Sequence, residues 1–325
     1  MNPWLPVAPC MPATCLTPPD ARAAWPRRTL RLMAMALVLL AGVVLAFVAA
    51  GLGTGRRIRL TSLWSRAALR AIGVRVEVRQ GFAFLAGSAA GPPVVPVAGS
   101  GAVPVTGSGA VPVAGSGSVP VVEPRAVPVA GSDAAPAAPP LIVGNHVSWL
   151  DPLVMAAAWP CRLLAKRDVL RWPLIGVLAA AAGVLFIDRE RLLALPGAVD
   201  RMAAALAGGH PVAAFPEGTT WCGREMGAFR PAVFQAALDA GAPVRPVALR
   251  YLGPAGVPAT GSAFVGDDML WASVRRVVAM RRLTVEVTVL PEVRGRDRRA
   301  LAWAAESSVA SVTVTGVAHD VPVAA

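Results

Sequence analysis

The chain has 325 residues, 55% of them hydrophobic and only 15% charged, which excludes a low-hydrophobicity disordered protein and points toward a bilayer. Thirty-one basic residues against nineteen acidic ones give a net charge of +12, and every basic residue except Lys166 is an arginine, so an anionic partner is expected: a phospholipid surface, a nucleic acid or a phosphorylated substrate. Cys10, Cys15, Cys161 and Cys222 show no CxxC spacing, which argues against a disulfide-stapled module and a zinc ribbon.

Residues 1–31 read as a basic tail. Residues 32–53 then run for 22 positions without a charge, and at about 1.5 Å per residue such a helix spans about 33 Å, enough to cross or embed in a bilayer. A secretory signal is the alternative, since small residues close the run. Signal h-regions are typically shorter, however, and Arg56, Arg57 and Arg59 follow at once, a cluster that favours the cytoplasmic side. Arg22, Arg27, Arg28 and Arg31 precede the run, so a hairpin or membrane-surface arrangement stays open beside a single span.

Between residues 86 and 140 the composition turns to Gly, Pro, Ala, Ser and Val, with VPV triplets starting at Val95, Val103, Val111, Val119 and Val127, a period of eight. That is too short for a solenoid unit, and a proline in each copy removes a ladder donor. The segment reads as a linker-like insert. It splits an alternating strand at residues 74–78 from an apolar strand at residues 141–143.

The second strand runs into GNHVSWLDP, residues 144–152, placing His146 just past a strand end. Asp151 and Pro152 read as the N-cap and first position of a helix that continues to Trp159. Five residues is a short enough tether for the Asp151 carboxylate to accept a hydrogen bond from one imidazole nitrogen, leaving the other to take a proton. A capping aspartate beside an inert turn histidine is the plainer alternative, and a Ser148 nucleophile lacks the Gly-x-Ser-x-Gly turn that such serines occupy.

Residues 183–189, GVLFIDR, read as a short buried strand ending in charge, where Arg189 can meet an anion with two parallel donors or stand as a solvated arginine. Residues 211–215 lead into PEGTT, in which Gly218 permits close approach of the backbone and Thr219 and Thr220 offer hydroxyls. Glu217 can bind a hydroxyl-bearing substrate or brace the loop. Further strands are expected over residues 242–251 and 283–290, and helices over 197–208, 231–240 and 268–279. The expected fold is α/β, a central sheet flanked by helices and preceded by an N-terminal membrane helix.

NHxxxxD at Asn145 to Asp151, GxxFxxR at Gly183 to Arg189, FPEGT at Phe215 to Thr219 and the proline-containing run around Pro246 together resemble the glycerolipid acyltransferase family, in particular 1-acylglycerol-3-phosphate (lysophosphatidate) acyltransferases. The resemblance covers residues 60–295, interrupted by the insert at 86–140, with residues 296–325 left as a C-terminal helix and tail. It implies acyl transfer from acyl-CoA or acyl carrier protein to the free hydroxyl of a lysophospholipid at the cytoplasmic face of a membrane. By the same resemblance His146 is the general base, Asp151 orients it, and Arg189, Glu217, Gly218 and Thr219 bind the acceptor. An acyl thioester is already activated, so no metal and no cofactor beyond this cosubstrate is expected.

Many family members carry Arg where Thr220 stands, which makes a lyso-ornithine lipid or another lysolipid the nearest alternative acceptor. A nucleic-acid partner is not expected, because the aromatics form no stacking series and the apolar run has no use there. A noncatalytic membrane scaffold would need none of the groups at the strand ends.

Overall fold

The computed structural model describes residues 6–18, 21–81, 138–188 and 191–313. A single helical turn, α1 (Pro12–Cys15), precedes two long helices, α2 (Trp25–Ala50) and α3 (Thr54–Ala71). In α3, Ile58, Ser62, Ser65 and Leu69 recur at spacings of four, three and four and form its buried stripe. Gly73, at φ +82°, occupies the left-handed position that ends α3 and turns the chain into β1 (Val74–Gln80). The expected insert is described only at residues 138–140, and the rest of it lies outside the described residues.

The chain continues with β2 (Leu141–Gly144), α4 (Asp151–Ala158), β3 (Arg162–Lys166), α5 (Ile175–Ala181), β4 (Leu185–Ile187), α6 (Leu195–Ala207) and β5 (Val212–Ala214). It ends with α7 (Ala232–Asp239), β6 (Val244–Leu252), α8 (Leu270–Ala279), β7 (Leu283–Val289) and α9 (Arg298–Thr313). The strands form one seven-stranded sheet in the order β1-β7-β6-β2-β5-β3-β4. Strands β6, β2, β5, β3 and β4 are mutually parallel, while β7 pairs antiparallel with β6 and β1 follows β7. The sheet has a hydrophobic core on each face. One joins Ile142, Val247 and Leu249 to Leu69 of α3, Met155 of α4 and Val278 of α8. The other joins Leu141, Val143 and Ala248 to Met202 of α6, Phe234 of α7 and Ala305 of α9. Alternate residues of β2 thus serve opposite cores, as the pleat requires.

Several sequence expectations shift in the structure. The apolar helix begins at Trp25, so Arg27, Arg28 and Arg31 stand in its first two turns instead of in a separate tail. The Arg31 guanidinium is only 6% exposed and donates to the carbonyls of Val278 and Met280 at 2.9 and 2.6 Å. In β7 both faces are buried, since Glu286 is covered by the neighbouring strands and pairs with Arg79 at 2.7 Å and Arg250 at 3.5 Å.

Among the described residues α2 is the one helix long and apolar enough to cross a membrane. It also docks on the domain: the Trp64 indole donates to the Val38 carbonyl at 2.9 Å, and Arg57 donates to that of Ala49 at 2.7 Å. Its outward stripe, Leu30, Met33, Leu37, Leu40, Val44 and Phe47, is 62–76% exposed at alternating spacings of three and four.

Candidate active site

Strand β2 lies between β6 and β5, and all three end at the same edge, the edge where open α/β sheets bind ligands. Beyond β2 the Asn145 side chain continues the sheet pairing. Its amide donates to the Leu249 carbonyl at 3.0 Å and accepts the Leu249 N–H at 2.8 Å, so it stands in for a strand residue while the backbone turns away.

His146 follows, held through main chain and side chain. Its N–H donates to Glu217 Oε2 at 2.7 Å, and its carbonyl accepts the Trp221 N–H at 2.7 Å. The imidazole stacks on Phe215, with ring centroids 4.4 Å apart and planes 13° from parallel. Nδ1 lies 2.7 Å from Asp151 Oδ2. A carboxylate is acceptor-only, so Nδ1 carries a proton, and in the neutral ring Nε2 presents a lone pair. The ring is 19% exposed and Asp151 is fully buried, an arrangement in which a substrate reaches the imidazole and water does not reach the carboxylate.

Asp151 was expected to cap α4. It is instead the first residue of that helix, and no side chain caps the helix start. Its carboxylate folds back over the preceding turn, where Oδ2 also accepts the N–H groups of Val147 at 2.6 Å and Ser148 at 2.8 Å. The turn thereby gains the partner that its backbone donors need once buried. Oδ1 accepts the hydroxyl of Tyr251 from the end of β6. Burial and the Asp151 charge push the Tyr251 phenol well above its usual range, so it remains a donor. Ser148 is fully buried and its hydroxyl donates to the Ser262 carbonyl at 2.8 Å, which removes it as a nucleophile.

Glu217 lies at the centre of the PEGTT loop after β5 and is only 2% exposed. Its two oxygens accept the N–H of His146 at 2.7 Å and of Gly227 at 3.1 Å. Burial pushes its carboxyl well above the ordinary carboxylate range; the charges of Asp151 and Glu306 add to this and the two N–H donors oppose it. Of the two roles open to Glu217, substrate ligand and brace, the geometry supports the brace. Gly218 adopts φ +75°, and a Cβ there would meet Pro6 Cγ at 2.6 Å. Thr219 is half-buried beside it, and the Thr220 hydroxyl is committed to the Phe264 carbonyl. Arg189 lies outside the described residues.

The structure therefore brings His146, Asp151, Glu217, Gly218 and Thr219 to one edge of the sheet. It adds Asn145, Phe215 and Tyr251, whose parts the sequence did not reveal. Tyr251 is the chain's only tyrosine, at the end of an expected strand, and that rarity was the available signal.

A model of the acyltransferase family matches residues 126–250. The 1-acyl-sn-glycerol-3-phosphate acyltransferase of Neisseria gonorrhoeae is 35% identical over 187 residues, covering 57% of this chain and 71% of that relative. The lyso-ornithine lipid O-acyltransferase of Pseudomonas aeruginosa is 38% identical over 177 residues, covering 53% and 66%, and that of Brucella abortus is 32% identical over 187 residues, covering 53% and 70%. With this extent of likeness, and with His146 and Asp151 paired beyond a central strand, the chain belongs to the acyltransferase family that includes the 1-acyl-sn-glycerol-3-phosphate acyltransferases.

Proposed function

We propose that this enzyme moves a fatty acyl group from acyl-CoA or acyl carrier protein to the free hydroxyl of 1-acylglycerol-3-phosphate, giving phosphatidate, at the cytoplasmic face of a membrane. The observation that carries this reading is the His146–Asp151 pair, with Nδ1 fixed on a buried carboxylate and the imidazole 19% exposed. The lysolipid hydroxyl attacks the thioester carbonyl as Nε2 takes its proton. The tetrahedral intermediate then expels the thiolate, which the imidazolium reprotonates. Asp151 stabilises the imidazolium, and its own position is fixed by two backbone N–H groups and Tyr251. By the family resemblance, Arg189 of the GxxFxxR motif is the guanidinium assigned to the acceptor phosphate, and Gly218 and Thr219 are assigned to the same acceptor.

The outward stripe of α2 embeds in the bilayer, with Trp25 at the headgroup level. Because α2 docks along α3 instead of standing clear of the domain, this reading keeps the domain close to the membrane surface, where the lysolipid resides.

A lyso-ornithine lipid is the second acceptor to weigh. Thr220 stands where many family members carry Arg, its hydroxyl is already engaged, and two of the relatives named above act on that lipid by name. Membranes containing the wild-type chain, given one acyl thioester and either acceptor, separate the two. Preference for lysophosphatidate that disappears in Arg189→Ala supports the phosphate assignment; wild-type preference for the lyso-ornithine lipid overturns it and leaves acyl transfer standing.

A further inference from the structure

Residues 6–18, ahead of α2, run along the loops that carry the site. Pro6 packs on Gly218, the Cys10 carbonyl lies 3.0 Å from where a Gly266 Cβ would stand, and Thr17 bonds through its N–H and hydroxyl to the Thr260 hydroxyl at 3.2 and 2.7 Å. Within this strap Cys10 and Cys15 approach Cys222, which follows Trp221, the residue whose N–H holds the His146 carbonyl. The three sulfurs lie within 4.8 Å of one another, and their residues are 1%, 2% and 1% exposed.

We propose that Cys10, Cys15 and Cys222 form a tris-thiolate site for one thiophilic d10 cation, Zn²⁺, which pins the amino-terminal strap to the loop behind His146. Three of the four cysteines converge from two segments more than two hundred residues apart, while Cys161 is buried elsewhere. Zinc–sulfur bonds of about 2.3 Å at tetrahedral angles set sulfurs roughly 3.8 Å apart, so the cluster closes on an ion by small side-chain rotations. Water completes the tetrahedron. Binding exchanges three S–H bonds for three Zn–S bonds and releases three protons, leaving one negative charge in a chain whose net charge is +12. No CxxC spacing announces the site because its ligands come from two segments more than two hundred residues apart.

The test is metal content of untagged, detergent-purified protein prepared under reducing conditions, together with titration of the metal-free wild type by Co²⁺. About one zinc per chain is expected in wild type and in Cys161→Ser, falling to background in Cys10→Ser and Cys222→Ser, with thiolate-to-cobalt charge-transfer absorption in the wild type. The cobalt spectrum needs no variant, so misfolding of a Cys→Ser chain does not blunt the test. Absence of stoichiometric zinc with no charge-transfer band, zinc retained in the triple Cys→Ser variant, or a disulfide between any two of the three in the reduced preparation each overturns the proposal.

Discussion

The carboxyl group of Glu217 accepts the main-chain N–H of His146 at 2.7 Å, linking two loops whose residues stand 71 positions apart. The imidazole is therefore fixed twice: Asp151 sets the ring, and Glu217 sets the backbone that carries it. Disturbing either link moves Nε2 relative to a bound thioester, where about 1 Å of misplacement costs on the order of 100-fold.

Glu217 also sets a dependence of stability on pH. Its folded-state carboxyl is raised by burial, so the folded chain keeps a proton that the unfolded chain releases near about pH 4.3. Stability falls with pH wherever the folded state binds more protons, so this contribution is complete below that value and declines as pH climbs toward the raised folded-state value. Glu217→Gln removes the titration but places an NH₂ against one of the two N–H donors. The variant is expected to be less stable than wild type at acid pH, with the difference narrowing as pH rises. Urea unfolding of the solubilised proteins at several pH values reads this directly, and a constant difference contradicts it.

Tyr251→Phe deletes one donor to Asp151 and leaves the ring in place. Loss of a hydrogen bond to a charged acceptor costs about 1.5–3 kcal/mol. The expected result is a folded enzyme with kcat lowered by roughly tenfold or more and an unchanged KM for the lysolipid. A raised KM at intact kcat would mean that Tyr251 binds substrate instead of orienting Asp151.

Asp151→Asn tests the carboxylate itself. The amide oxygen can take over the contacts to Val147, Ser148 and His146 while its NH₂ faces the Tyr251 hydroxyl, so the fold is expected to survive. What disappears is the charge that stabilises the imidazolium. Acyl transfer should fall by about 100-fold or more at unchanged circular dichroism, and activity within twofold of wild type would remove Asp151 from the mechanism.

The outward stripe of α2 gives a prediction apart from chemistry. Leu37 and Val44 are 68% and 65% exposed on the face assigned to the bilayer. Leu37→Glu with Val44→Glu places two charges there, each costing about 2.5 kcal/mol or more in a membrane interior. The double variant is expected to shift from membrane to supernatant on carbonate extraction; unchanged partitioning would mean that another surface holds the protein.

The strands legible in the sequence are those with alternating or continuous apolar runs: β4, β5 and β7 fall within the expected stretches, and β1, β2 and β6 overlap theirs but run one or two residues further. β3 escaped because RLLAK carries charge at both ends of a five-residue strand. α3 escaped because its arginines read as an orientation signal, whereas its buried stripe uses serines beside Ile58 and Leu69. At the site, the His146–Asp151 spacing was legible because both belong to one short turn. The Tyr251 and Glu217 contacts span 100 and 71 residues and depend on β6 and β5 flanking β2, a strand order that periodicity does not encode. The Asp151 cap was misassigned for a local reason, since a carboxylate before Pro152 suits either an N-cap or a residue folded back on its own turn.

The central claim is that Nε2 of His146 takes the proton of the attacking hydroxyl. The most direct measurement is acyl transfer to lysophosphatidate from one acyl thioester by wild type and His146→Ala in membranes, at matched membrane-bound protein. General-base catalysis contributes roughly 100- to 10,000-fold, so a loss of at least about 100-fold with membrane association intact is the predicted result. Retention of more than about half of wild-type activity would contradict it.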